Sequence, residues 1–173
     1  MFSKSKKSAA FFYLCDIIYV WKRVLWLYIK QKEVTKSFNF TKTLSPKELP
    51  KYVNDYVFKE ERILIGYKTS RDYGIFTDNK IILFDNDPNS KQVYVIPYKS
   101  VSTVSVVFKK NSGEIMCMLE SGSPLRLSFV NMEAEDKLKL RLLYSGVVKL
   151  VNGQNIEKTL FDQLADDDFK FDE

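Results

Sequence analysis

From Arg62 to Val130 the apolar residues of this chain recur at every second position, and turn-forming residues cut the run into short pieces. Two is the side-chain period of a strand, so the region reads as several short strands, each with one face turned inward. Ile63, Ile65 and Tyr67 alternate with Leu64, Gly66 and Lys68 in the first; Asp72–Thr77 is the second. Lys80–Phe84 is a nearly continuous apolar third, closed by Asp85-Asn86-Asp87-Pro88-Asn89, and Val93–Ile96 is the fourth. Val104, Val106 and Phe108 share a face of the fifth, before a turn at Lys109–Gly113. Ile115, Cys117 and Leu119 alternate in the sixth, Glu120–Ser123 turns, and Leu125, Leu127 and Phe129 line the seventh. The period then lengthens: Asn131 stands as an N-cap, Glu133, Glu135 and Asp136 fall in a first helical turn, and Leu138, Leu142 and Leu143 open an apolar stripe. Seven antiparallel strands closed by one amphipathic helix is the expected plan.

Ahead of this region, Ser45-Pro46-Lys47-Glu48 has the form of a capping box with proline at the first helical position, predicting a short helix through about Val57 that Pro50 splits or delays. Residues 37–45 read as a linker with β-prone residues. Residues 1–36 are different in kind. Between Ala9 and Ile29 only Asp16, Lys22 and Arg23 are charged, and both tryptophans of the chain, Trp21 and Trp26, lie there. Asp16, Arg23 and Lys30 recur every seven residues, which leaves a narrow polar stripe on a wide apolar helix. Ten strong apolar residues contribute about −3 to −6 kcal/mol to bilayer insertion, whereas three central charges cost roughly 2.5–3.5 kcal/mol each, so the balance is against a span. Lys4, Lys6 and Lys7 imitate the start of a secretory signal, but Asp16 interrupts the apolar run and no small-x-small cleavage site follows. The expectation is a long apolar N-terminal helix whose Phe11, Phe12, Leu14, Ile18, Trp21, Leu25 and Trp26 meet a membrane surface or the core of an oligomer.

Charge follows the same division. Residues 1–36 carry eight Lys/Arg against two acidic residues, residues 37–151 carry seventeen against thirteen, and residues 152–173 carry two against seven, giving the net +5. A basic, greasy head is attracted to anionic surfaces such as cytoplasmic lipid; nucleic acid is the less favoured partner, because the aromatics are embedded in an apolar run and not displayed on a basic groove. The chain has no histidine, which removes the usual general base, the usual zinc ligand and every Ser-His or Cys-His pair. Its six glycines form no phosphate-binding loop, and Cys15 and Cys117 have no metal-ligand spacing. No catalytic residue, metal or cofactor is expected, and the paucity of cysteine suits a reduced, cytoplasmic setting.

Tyr67-Lys68 followed by Arg71-Asp72, then Phe76-Thr77-Asp78-Asn79-Lys80 running into Ile-Ile-Leu, then Ile96-Pro97-Tyr98-Lys99-Ser100-Val101, resemble in order and spacing the pattern of the bacterial PH domains, over residues of about 46–150. The resemblance implies a mostly β, α+β fold: a pleckstrin-homology-like seven-stranded antiparallel barrel or sandwich capped by the C-terminal helix. It also implies a non-catalytic binding module, and several members of the family form rings. Eukaryotic phosphoinositide-binding PH domains spread basic residues over a long first hairpin loop; here Lys68 and Arg71 flank a tight turn beside Asp72. Lys68, Arg71 and Lys80 are the candidate anion-binding residues. The competing reading makes Arg71–Asp72 a structural pair and Lys80 a solvated turn residue. Tyr98 reads as a packing residue. Met116 and Met118 face away from Cys117 and form an adaptable contact surface if exposed; the favoured reading has the C-terminal helix cover them.

Past Asn152 the chain turns polar and acidic, a mobile tail over residues 152–173 in which Phe161, Leu164, Phe169 and Phe171 offer a partner motif. The whole reads as a cytoplasmic, non-enzymatic module. Residues 1–36 hold it peripherally at the inner face of the membrane, and residues 46–151 recruit a protein partner through open sheet edges. The alternative is a subunit of a homo-oligomeric assembly with the N-terminal helices packed in its core.

Overall fold

The alternating segments from Ile63 onward do fold as strands, but they divide between two sheets that do not close into a barrel. The computed structural model describes residues 38–156 and Leu164. Strands β1 (Phe38–Phe40) and β2 (Lys42–Leu44) come first, then β3 (Ile63–Lys68), β4 (Tyr73–Thr77), β5 (Lys80–Asp87) and β6 (Ser90–Pro97). After a 3-10 turn at Tyr98–Ser100 follow β7 (Val101–Lys109), β8 (Ser112–Leu119), β9 (Pro124–Val130) and helix α1 (Ala134–Val151). One sheet has the order β2-β3-β4-β5-β6 and the other β1-β9-β8-β7. The expected seven strands are thus joined by two more, and the sheets are not wholly antiparallel, because β1 runs parallel to β9, Phe38 opposite Leu127 and Phe40 opposite Phe129.

The stretch expected as a linker is therefore part of the core. Phe38 and Phe40 point inward and Asn39 outward, while β2 pairs with β3, so the chain passes from one sheet to the other at Thr41. The Thr41 N–H donates to Lys68 O at 2.9 Å and holds that corner. The Phe40 ring lies over Gly74 of β4, where any Cβ would overlap it, and packs at 5.5 Å from the Phe129 ring. At the opposite corner β6 and β7 are joined only through the 3-10 turn, and each pairs on one side among the described residues.

The predicted short helix is two 3-10 turns, Pro46–Glu48 and Lys51–Tyr56, with Pro50 between them. Glu48 accepts from the Ser45 N–H at 2.9 Å, as a capping box requires, but Pro50 stops the first turn before an α-helical hydrogen bond forms. The cap of α1 also differs from expectation. Asn131 adopts a left-handed φ of 58°, a conformation asparagine tolerates, and Glu133 becomes the N-cap, its N–H donating to Asp136 Oδ2 at 3.1 Å. Asp85–Asp87, read as a turn, prolongs β5, and the reversal comes only at Pro88 and Asn89.

The principal core lies between the sheets, where Leu64, Phe76, Ile81, Ile115 and Leu127 meet Leu140, Leu143 and Val147 of α1. Ile156 and Leu164 belong to the same core, so the region expected to be a mobile tail contributes two buried side chains. Phe161, Phe169 and Phe171, together with Phe11, Phe12, Leu14, Ile18, Trp21, Leu25 and Trp26, lie outside the described residues. Among the described residues no helix is long and apolar enough to cross a membrane.

Candidate interaction surface

The two sheets treat their outer faces oppositely. On the five-stranded sheet, Ile75, Ile82 and Phe84 point away from the principal core and are nevertheless buried, because the segment carrying the 3-10 turns lies across them. Val53 is fully covered there, and Tyr52 and Tyr56 stand edge-on to Phe84 with ring centroids at 5.4 and 5.3 Å. Leu49 sits on Gly66, which leaves no room for a side chain at that position.

One buried ion pair pins this cover in place. Lys80 Nζ lies 2.9 Å from Glu61 Oε2, with the two side chains only 5% and 2% exposed, and 3.9 Å from the centre of the Phe58 ring. The Phe58 N–H donates to Glu61 Oε2 at 3.0 Å and the Thr77 hydroxyl donates to Glu61 Oε1. Burial alone would raise the Glu61 pKa; the Lys80 ammonium, the Thr77 hydroxyl and the Phe58 N–H outweigh it and hold the carboxyl below its ordinary value. The same turn grips the incoming chain a second time, since the Arg62 N–H donates to Asp78 Oδ1 at 3.0 Å and the Asp78 N–H to Arg62 O at 3.0 Å. Thr77 Oγ1 accepts from the Lys80 N–H at 3.0 Å, and Tyr98, buried, donates its hydroxyl to Thr77 O at 3.1 Å. Phe76–Lys80 and Ile96–Val101 thus meet at one structural clamp.

That geometry removes Lys80 from the anion-binding set and from the solvated-turn reading alike: its charge is spent on Glu61 inside the fold. Lys68 and Arg71 lie at the other end of β4, roughly 13 Å away at 3.3 Å per residue, so the three cations do not converge. Arg71 is itself held between carboxylates, 3.6 Å from Asp72 and 3.8 Å from Asp87. Glu61 went unnoticed in the sequence because it is distant from Lys80 along the chain and sits in no periodic element; no local signal marks it.

Among the described residues the four-stranded sheet has no such cover. Gly113, Ile115 and Cys117 share the inner face, and Leu140 of α1 packs on Gly113, so the helix lies on the side opposite Met116 and Met118. The expectation that the helix hides these methionines is therefore overturned: Met118 is 41% exposed and Val107, on the neighbouring strand, 39%. Thr103, Ser105, Met116, Met118, Pro124 and Arg126 line a shallow groove of about 340 Å³ across β7, β8 and β9. Arg126 on its wall is paired with Glu114 at 2.9 Å. Beneath it Cys117 is buried, and burial pushes its thiol up to about 11, so it remains a protonated core residue. The groove is bounded by β7, an edge strand nine residues long whose outward positions are exposed. Lys109 is the one charged residue of β7 and Lys91 the one charged residue of β6. Among the described residues no group of three or more His, Cys, Asp or Glu could hold a metal.

Two sheets, a chain that changes sheets at Thr41, and a C-terminal helix packed against β7 and β8 define a pleckstrin-homology-like fold. The model of the bacterial PH domain family matches residues 33–114. Among solved structures, a PH-domain-containing bacterial protein from Exiguobacterium sibiricum is similar with a TM-score of 0.52 and 18% identity, over 66% of this chain and 63% of that one. A protein with a pleckstrin-homology domain from Shewanella loihica is similar with a TM-score of 0.52 and 16% identity, over 66% of this chain and 98% of that one. The chain thus spans less than two thirds of the Exiguobacterium protein, and at these identities the likeness is one of fold. No curated protein matches the chain. The family match begins ahead of residue 46, in agreement with the strands found at Phe38–Leu44.

Proposed function

We propose that this chain is a non-enzymatic recruitment module, held at the cytoplasmic face of a membrane by residues 1–36 and binding an extended protein segment on its four-stranded sheet. The observation that carries the reading is an outer face left bare by the described residues, beside the edge strand β7 that pairs on one side among them, in a fold that covers the corresponding face of its other sheet. An open edge offers backbone donors and acceptors to an added strand, and exposed Met118 beside half-buried Met116 offers a soft, adaptable floor for its side chains. The edge strand β7 ends at Lys109, the one charged residue it carries, which favours a partner segment with an acidic residue at that end.

The tether is tested by sedimenting the protein with anionic vesicles, full-length against a chain beginning at Ser37. That start preserves Phe38 and Phe40, which the core needs. Equal pelleting of the two removes residues 1–36 from the membrane role. Recruitment is tested by affinity capture in mild detergent, wild type against Met118→Glu; a partner captured equally by both does not use the bare sheet. The alternative is a homo-oligomer with residues 1–36 packed in its core, and for that reading a mass measurement in detergent-free buffer is decisive, since a defined oligomer that dissociates on loss of residues 1–36 favours assembly over lipid.

A further inference from the structure

Among the described residues one buried side-chain polar atom has no hydrogen-bond partner, the hydroxyl of Tyr67. Its ring cannot turn it outward: Phe40, Phe76 and Phe129 surround it with centroids at 5.8, 5.9 and 4.7 Å. A buried hydroxyl left without a partner costs more than an ordinary hydrogen bond gains, so an orphan at this position calls for an occupant. Beside it lies a cleft of about 20 Å³ lined by Phe40, Thr43, Tyr67, Phe129, Met132 and Asp136. That is room for one water molecule. The polar groups on its wall are complementary. Asp136 Oδ1 accepts from the Thr43 hydroxyl at 3.0 Å and Oδ2 from the Glu133 N–H at 3.1 Å, which leaves lone pairs on the carboxylate to spare. Burial first, and the Asp136 charge second, push the Tyr67 phenol above its ordinary pKa, so the group is a permanent donor.

We propose that a single structural water occupies this cleft, accepting from the Tyr67 hydroxyl and donating to the Asp136 carboxylate and to Thr43 Oγ1. Three partners are the usual complement of a buried water. The bridge ties β3, β2 and the first turn of α1 together at the corner where the chain changes sheets. The site therefore fixes the start of the C-terminal helix against the domain it closes.

Tyr67→Phe separates the wet and dry alternatives by sign. With a bridging water, removing the hydroxyl strands that water with one partner fewer, and the melting temperature of the full chain falls by about 2–4 °C. With a dry site, the substitution deletes an orphaned group and the protein becomes equally or more stable. The companion measurement is magnetisation transfer from long-lived water to the Thr43 and Asp136 amides of the wild-type chain. Transfer together with the lower melting temperature is the expected result; absence of transfer, or a Tyr67→Phe protein at least as stable as wild type, overturns the proposal.

Discussion

The two sheets of this domain are built from sequences of opposite texture. In β4 and β5 nearly every residue is buried, because one face meets the principal core and the other lies under the 3-10 segment. In β8 and β9 buried and open positions alternate, because only one face is covered. A strand covered on both sides reads as a continuous apolar run, and a strand covered on one side reads as alternation. Lys80–Phe84 and Ile115–Leu119 display those two textures in the bare sequence. On the proposed reading this difference places the binding face. A fold that spends Leu49, Val53 and a buried ion pair on sealing one sheet, and leaves Met118 and Val107 open on the other, has a closed side and an available side.

The largest effect that probes this contrast is at the seal. Lys80→Ala leaves Glu61 charged and buried without its partner, and should cost about 3–5 kcal/mol in urea unfolding. Lys68→Ala, outside the seal, should stay within about 0.5 kcal/mol. Equal effects of the two would break the comparison. Next is the corner shared by both sheets, where Gly74→Val drives a side chain into the Phe40 ring; overpacking of this kind costs about 1–3 kcal/mol, read from the same unfolding midpoint.

A smaller effect comes from pH. Glu61 has a folded pKa below its model-compound value of 4.5, so its contribution to stability is complete above about pH 4.5 and is lost as pH falls through the lower, folded value. Unfolding midpoints measured down an acid series should drop more steeply for wild type than for Glu61→Gln, and parallel curves would mean that the pair does not seal the sheet. The smallest effect on stability is expected on the open side: Met118→Glu should change the unfolding free energy by no more than about 0.5 kcal/mol while abolishing partner capture.

Seven strands and the C-terminal helix were legible because each is long enough to show a period. Strands β1 and β2 were not, since three residues cannot display an alternation; the inward pair Phe38 and Phe40 was the one available sign. The clamp at Phe76–Lys80 was visible as a motif but not as chemistry. Lys80 reads as a turn cation until Glu61, Phe58 and Thr77 are brought around it by contacts far apart in sequence. Leu164 was hidden for a similar reason: it stands among acidic residues, and only the core that receives it shows that it is not part of a solvated run. The open face of Met116 and Met118 was seen as an alternative, and choosing between cover and exposure required knowing on which side α1 lies.

The most direct test is amide chemical-shift mapping of the full-length protein at low salt, titrated with a short extended peptide that alternates Asp with Val. The account predicts changes confined to Val101–Lys109 and to residues 116–126, with strands β4 and β5 unmoved. Changes centred on Tyr52, Tyr56 and Phe84 over the sealed sheet, or no changes at millimolar peptide, would contradict it.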